Sequence, residues 1–184
     1  LTLNAEYAVE RGSGEGADYA ANAWYAQADY AFSTLPLTPI IGYRYASFSG
    51  DDNLTDNRQK AWDPLSKGFL DWGTWLVGDV VGNYLLFNSN EKVQQFSLKT
   101  HLSDTVTLGT IHYQFWLDEK NYLGAAVSER RFADESVVFV DWTPTPSFYT
   151  SLSYNWVKPL AAAKQVFGDD QTFSALEMYF TYRY

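Results

Sequence analysis

The feature that most constrains this chain is an alternation of apolar and polar side chains with a period of two residues. The final segment shows the alternation best, with Leu176, Met178 and Phe180 interleaved with Glu177 and Thr181. Side chains alternate between two faces in a strand, whereas a helical face repeats every ~3.6 residues. About eight segments follow this pattern, so the sequence predicts an all-β, antiparallel fold with about eight strands. Residues 1–184 are predicted to form a single domain.

The connections between the predicted strands alternate in length along the chain. Short turns are expected near Pro36, Asp104 and Pro144, and longer loops near Gly14, over 51–90, over 119–133 and over 159–170. Short periplasmic turns and long extracellular loops are typical of outer-membrane barrels. The pattern therefore predicts an up-and-down transmembrane β-barrel in the bacterial outer membrane. Both ends of the chain are expected on the periplasmic side, at the rim of the short turns.

Two features predict that the apolar face of the strands meets lipid. Aromatic side chains stand at strand ends near the short turns, where an interfacial girdle would lie. They are Tyr30, Phe32, Trp142, Tyr182 and Tyr184. The opposite face carries many charges, including Glu6 and Asp29, and a dry interior would not tolerate them unpaired. A soluble, lipocalin-like barrel with its apolar face inward is the alternative for the same alternation.

Composition argues against several kinds of site. The chain has no Cys, so it has no thiolate metal site and no Cys nucleophile. Its formal net charge of -9 disfavours a nucleic-acid partner. The only two histidines, His101 and His112, are predicted to face inward and lack the spacing of a hydrolase triad or a zinc motif. We therefore predict no enzyme activity, no cofactor and no metal.

A set of six charged side chains is predicted to line the lumen. They are Arg44, Lys99, His101, Asp141, Glu177 and Arg183. The basic members could form a positive stripe for an anionic solute, or they could neutralise the acids in a polar network, which the near match in number favours. The predicted function is a channel or exporter for the passive passage of solute. The alternative is a narrow structural or binding barrel, filled by side chains and without conductance.

A long loop at about 49–91 is predicted on the extracellular side. It is rich in aromatic residues, and several glycines interrupt any long helix or strand within it. Trp62, Trp72 and Trp75 could stack on sugar rings, since flat aromatic rings suit apolar sugar faces. The alternative is that they form the packing core of a loop folded into or over the barrel mouth. Function is often carried by loops of this kind on a rigid scaffold.

The loop contains the motifs Trp62-Asp-Pro-Leu65, Gly68-Phe69, Asp71-Trp-Gly-Thr-Trp75 and Gly82-Asn-Tyr-Leu-Leu-Phe-Asn-Ser-Asn90. With these motifs the chain resembles the alginate-export family of bacterial outer-membrane barrels. The final strand is similar to the C-terminal signal that the barrel-assembly machinery recognises. The resemblance is to the C-terminal part of the family's larger barrels, so the strands belong either to a barrel of their own or to a larger one. It implies membrane lipid, the assembly machinery and an anionic polysaccharide such as alginate, or a small solute, as partners.

Overall fold

The computed structural model describes residues 1–64 and 78–184, and antiparallel strands dominate this part of the chain. The strands are β1 (Thr2–Gly14), β2 (Ala17–Ala31), β3 (Ile40–Phe48), β4 (Arg58–Gln59), β5 (Glu91–Ser103), β6 (Val106–Leu117), β7 (Asn121–Tyr122), β8 (Ala125–Ala126), β9 (Arg131–Thr145), β10 (Phe148–Pro159) and β11 (Phe173–Tyr182). A π-helical turn spans Val81–Leu85, and helix α1 spans Ala161–Phe167. The short helix begins in an Ala-rich stretch and ends at Gly168 with a φ of 73°.

The eight long strands form one sheet in the order β1-β2-β3-β5-β6-β9-β10-β11. The two-residue β4 adds a parallel pairing to β2, and β7 and β8 form a separate small ribbon. The prediction of about eight antiparallel strands is confirmed. The sheet is not closed into a barrel, however, because within the described residues β1 and β11 form its two edges. A closed barrel of about eight strands has room for side chains only, whereas the inner side of this sheet also holds a folded segment of backbone.

The connections differ in length between the two rims of the sheet. One rim has the connections 32–39, 104–105 and 146–147, and the other has 15–16, 49–90, 118–130 and 160–172. The connection near Gly14, predicted to be longer, is a two-residue turn, and that prediction was wrong. Glu15 and Gly16 have φ of 52° and 85°, and two positive φ values are what a tight type I′ hairpin requires. We call the first rim the short-turn rim and the second the long-loop rim.

The two faces of the sheet differ in chemistry. The outer face exposes large apolar side chains, including Trp24, Tyr43, Leu98, Val140, Leu152, Trp156, Leu176, Met178 and Phe180. The inner face is buried and mixes apolar residues with Arg44, Glu91, Gln95, Glu135, Ser151, Ser153 and Asn155. The outer face is therefore more apolar than the inner one. No helix in the residues that the structure describes is long and apolar enough to span a membrane.

Strand β6 departs from the predicted face assignment. Ile111, Tyr113 and Phe115 are buried on the inner face, so His112 and Trp116 lie on the outer face. The prediction that His112 faces inward beside His101 was therefore wrong. The apolar row of β6 turns inward because it packs in one cluster with Val80, Val81 and Leu86 from the long connection between β3 and β5.

Candidate functional site

The best-defined site is formed where part of the long connection folds onto the inner face of the sheet. We call residues 78–86 the inserted segment. It begins at Gly78, whose φ of 96° favours glycine, and continues into the π-helical turn. A side chain at position 78 would overlap the ring of Phe115, so only glycine lets the backbone approach β6 this closely. The inserted segment thus contacts the inner wall through its backbone.

Glu135 on β9 anchors the inserted segment by its carboxylate. Oε1 accepts hydrogen bonds from the backbone N–H groups of Asp79 and Val80, each over 2.9 Å, and Oε2 accepts one from Val81 over 2.8 Å. The Glu135 side chain is fully buried. Successive N–H groups that converge on one point bind an anion well, and hydrogen bonds to a charged acceptor are stronger than neutral ones. One carboxylate therefore satisfies three neighbouring backbone donors.

Asp79 makes a second attachment, to the inner face of β10. Ser153 Oγ donates to Asp79 Oδ2 over 3.1 Å, and Asn155 Nδ2 lies 3.3 Å from Ser153 Oγ. Asn155 Nδ2 also lies 3.4 Å from Glu177 Oε1 on β11. Burial raises the pKa of the Asp79 carboxyl, and hydrogen bonds from Asn155 and Ser153 partly offset that rise. A polar chain thus connects the inserted segment to the edge strand.

Arg44, one of the predicted lumen residues, belongs to a separate network on β2 and β3. Its Nε donates to Gln27 Oε1 over 2.8 Å, and Gln27 Nε2 donates to Asp29 Oδ2 over 2.6 Å. The guanidinium also lies 5.1 Å from the centre of the Tyr25 ring. Arg44 is buried within these contacts. Its surroundings are those of a polar network rather than of a free positive charge.

The other predicted lumen residues are spread over several strands. Lys99 and His101 lie exposed on β5, with His101 Nδ1 3.0 Å from Thr107 Oγ1. Asp141 on β9 accepts a hydrogen bond from the Tyr149 hydroxyl over 3.0 Å. Arg183 is exposed just beyond β11, four places from β5 in the sheet order. The structure therefore does not bring the basic residues together in one stripe, and Glu177 is the only one of the six that contacts the polar chain from Asp79.

Of the three predicted loop aromatics, only Trp62 falls within the described residues. Its backbone N–H donates to Ser49 O over 2.9 Å, and its carbonyl accepts the Ser89 hydroxyl over 2.6 Å. The side chain is partly buried and packs against the hydrophobic core. It also lines a cavity of about 390 Å³ at the long-loop rim, together with Leu85 and Tyr122. Trp72 and Trp75 lie outside the residues that the structure describes.

Three acidic residues that are buried on the inner side of the sheet were not predicted from the sequence. Asp79, Glu91 and Glu135 are all on the inner side of the sheet, and both carboxylate oxygens of Glu91 lack a hydrogen-bond partner among the described residues. One signal could have found Glu135, because it interrupts the alternate apolar positions Ala133, Val137 and Phe139 of β9. Asp79 carried no such signal, since it lies in a connection without periodicity.

The comparisons with known proteins leave the family open: no family model matches the sequence, and no match to a curated protein was found. Within the described ranges, no three His, Asp or Glu side chains are arranged so that they could hold a metal ion. The absence of a cofactor and of enzyme activity stays a prediction. The function has to be inferred from the chain's own residues.

Proposed function

We propose that this chain contributes a wall of an outer-membrane β-barrel of the channel or exporter type, in which the inserted segment narrows the passage. The observation that carries the proposal is the set of exposed apolar side chains on the outer face of every long strand except β6. Leu176, Met178 and Phe180 on β11 are 69%, 70% and 65% exposed. Soluble monomers rarely expose a continuous apolar face of this extent, whereas lipid stabilises one.

Aromatic residues support the same orientation. Tyr30, Trp142 and Tyr182 are exposed at the short-turn rim, where β2, β9 and β11 end or turn. Tyrosine and tryptophan favour the boundary between lipid and water because their rings are apolar and carry one polar group. An aromatic row at this level is typical of outer-membrane barrels.

The two open edges support a contribution to a larger barrel rather than a barrel of these strands alone. Backbone N–H and C=O groups cannot stay unpaired in lipid, so a sheet that crosses a membrane must have both edges paired. We therefore expect further strands beside β1 and β11, a requirement compatible with the resemblance to the alginate-export family. That resemblance suggests an acidic polysaccharide as the solute, but the acids on the inner face argue against a polyanion. Asp79, Glu91 and Glu135 add to the acids predicted there.

A filled, non-conducting barrel wall is the second candidate. The observation in its favour is the hydrophobic cluster on the inner side, where Val80, Val81 and Leu86 pack against Tyr113 and Phe115. Such packing places apolar side chains of the inserted segment directly against the inner face of β6.

Reconstitution of the full chain into liposomes tests the proposal. The chain should refold only in the presence of detergent or lipid, float with the liposomes in a density gradient, and stay bound after washes with high salt and urea. A chain that folds as a soluble monomer without detergent would rule out the membrane location. Single-channel recording of the reconstituted protein then separates the two candidates, since a folded protein without conductance supports the filled wall.

A further inference from the structure

A cavity lies between the inserted segment and the inner face of β10 and β11, close to the short-turn rim. Its volume is about 450 Å³, which suits a small organic molecule. The residues that matter for its chemistry are Asp79, Tyr84, Tyr149, Ser153, Glu177 and Tyr179. The cavity therefore combines carboxylates, hydroxyls and aromatic rings in one space.

The two carboxylates of the cavity have neutral donors beside them and no cation. Ser153 Oγ donates to Asp79 Oδ2 over 3.1 Å, and Asn155 Nδ2 lies 3.4 Å from Glu177 Oε1. Among the described residues, neither carboxylate has a Lys, Arg or His nitrogen within the 4.0 Å of an ion pair. Arg183 also lines the cavity, but it lies beyond this distance. The cavity thus presents two carboxyl groups that have no base as a partner among the described residues.

Asn155 holds one of the two carboxyl groups from behind the cavity wall. Its side chain is fully buried, it is not among the residues that line the cavity, and its Nδ2 contacts Ser153 and Glu177. A ligand with several N–H groups in the cavity would therefore meet the carboxyl groups of Asp79 and Glu177, which both line it.

The aromatic rings favour an organic cation over a metal ion. The Tyr149 and Tyr179 rings lie 6.1 Å apart between centroids, and the hydroxyl of Tyr149 is already used by Asp141. Tyrosine rings attract an ammonium or guanidinium group through their electron-rich faces. The described residues offer no group of three His, Asp or Glu ligands for a metal, and the cavity is far larger than one ion.

We propose that this cavity binds an organic cation, in which a primary ammonium or guanidinium group lies between Asp79 and Glu177 and an apolar body contacts the tyrosine rings. The inference does not depend on the membrane location, because the described inner face alone forms the site. If the sheet does line a passage, the same site makes that passage prefer cations to anions.

Calorimetric titration of the full chain, folded in a zwitterionic detergent, tests this inference. The probes are phenethylammonium, its neutral counterpart 2-phenylethanol and its anionic counterpart phenylacetate. We expect phenethylammonium to bind at least about tenfold more tightly than either counterpart, since the difference lies in its charge. If the unchanged chain binds phenethylammonium and 2-phenylethanol equally tightly, the proposal is refuted.

Two isosteric variants then locate the charge. Asp79→Asn and Glu177→Gln should each weaken phenethylammonium binding by at least about threefold, and the double variant by about tenfold or more. Glu6→Gln on the exposed β1 is the matched control and should leave binding unchanged. A folded double variant that binds as the unchanged chain does would refute the site. Failure of the chain to enter liposomes would refute the membrane proposal and leave these titrations valid.

Discussion

Glu135 shows how one buried charge can be stabilised without a base. A lone carboxylate removed from water is costly, and three backbone N–H groups of the inserted segment offset part of that penalty here. The same three donors would be unpaired if the carboxylate were absent. The interaction therefore stabilises both sides: the N–H groups hydrogen-bond the Glu135 carboxylate on β9, and the carboxylate holds the inserted segment against the sheet.

Replacement of Glu135 by Gln should destabilise the fold. The amide keeps one acceptor oxygen but turns an NH₂ group toward at least one of the backbone donors. We expect a loss of about 2–5 kcal/mol in the free energy of unfolding. Urea titration in detergent measures it, and Glu6→Gln on the exposed β1 should change the value by less than about 0.5 kcal/mol. Equal effects of the two substitutions would show that the anchor contributes nothing.

Gly109 makes a second prediction at the residue scale. It lies opposite Phe139 in the register of β6 and β9, and a methyl group at position 109 would overlap the Phe139 ring. Gly109→Ala should therefore cost about 1–3 kcal/mol, the usual range for overpacking. Gly14→Ala, which meets open space, should be nearly neutral. Adding Phe139→Leu should recover part of the loss, and a strictly additive double variant would contradict the contact.

Strand β11 allows the outer and inner faces to be compared within one element. Met178 pairs with Leu152 on the exposed face, whereas the adjacent Glu177 is half-buried and faces Asn155. An arginine at the lipid face costs about 2–4 kcal/mol near the bilayer midplane. On a face in water, an exposed Met should accept arginine at little cost.

Met178→Arg should therefore destabilise the chain in lipid by about 2–4 kcal/mol, whereas Glu177→Gln should be mild. Unfolding titrations of both variants in liposomes give the comparison. A tolerated arginine would mean that the outer face is not in lipid, and the soluble alternative would return.

At the scale of the whole molecule, the sequence predicts the parts that depend on local pattern. The alternation predicted the strands and their antiparallel order, and the outer row Leu176, Met178 and Phe180 is indeed exposed. Closure could not be predicted from it, because closure depends on curvature and on what fills the inner side. The inner face of β6 was misassigned for a related reason. The apolar row of β6 faces inward because it packs against the inserted segment, and the position of that segment cannot be predicted from a local pattern.

The candidate site was harder to predict than the fold. Glu177 was found because it lies on the polar face of the final strand, but Asp79, Glu135 and Asn155 meet only through contacts between distant parts of the chain. The basic stripe, which the sequence analysis gave as the less favoured alternative to a neutralising network, is not seen because Lys99 and Arg183 lie on well-separated strands. Side chains that the alternation assigns to the same face of a sheet can still be far apart when several strands lie between them.

The attachment of the inserted segment also sets an order of assembly. Glu135 lies 54 to 56 residues after the three amides that it binds, and β5 and β6 lie between them in the sequence. Closing a loop of this length early would cost entropy that three hydrogen bonds do not repay on their own. Pairing of β5, β6 and β9 first brings Glu135 to the correct side of the sheet. We therefore expect the sheet to form first and the inserted segment to dock onto it late in folding.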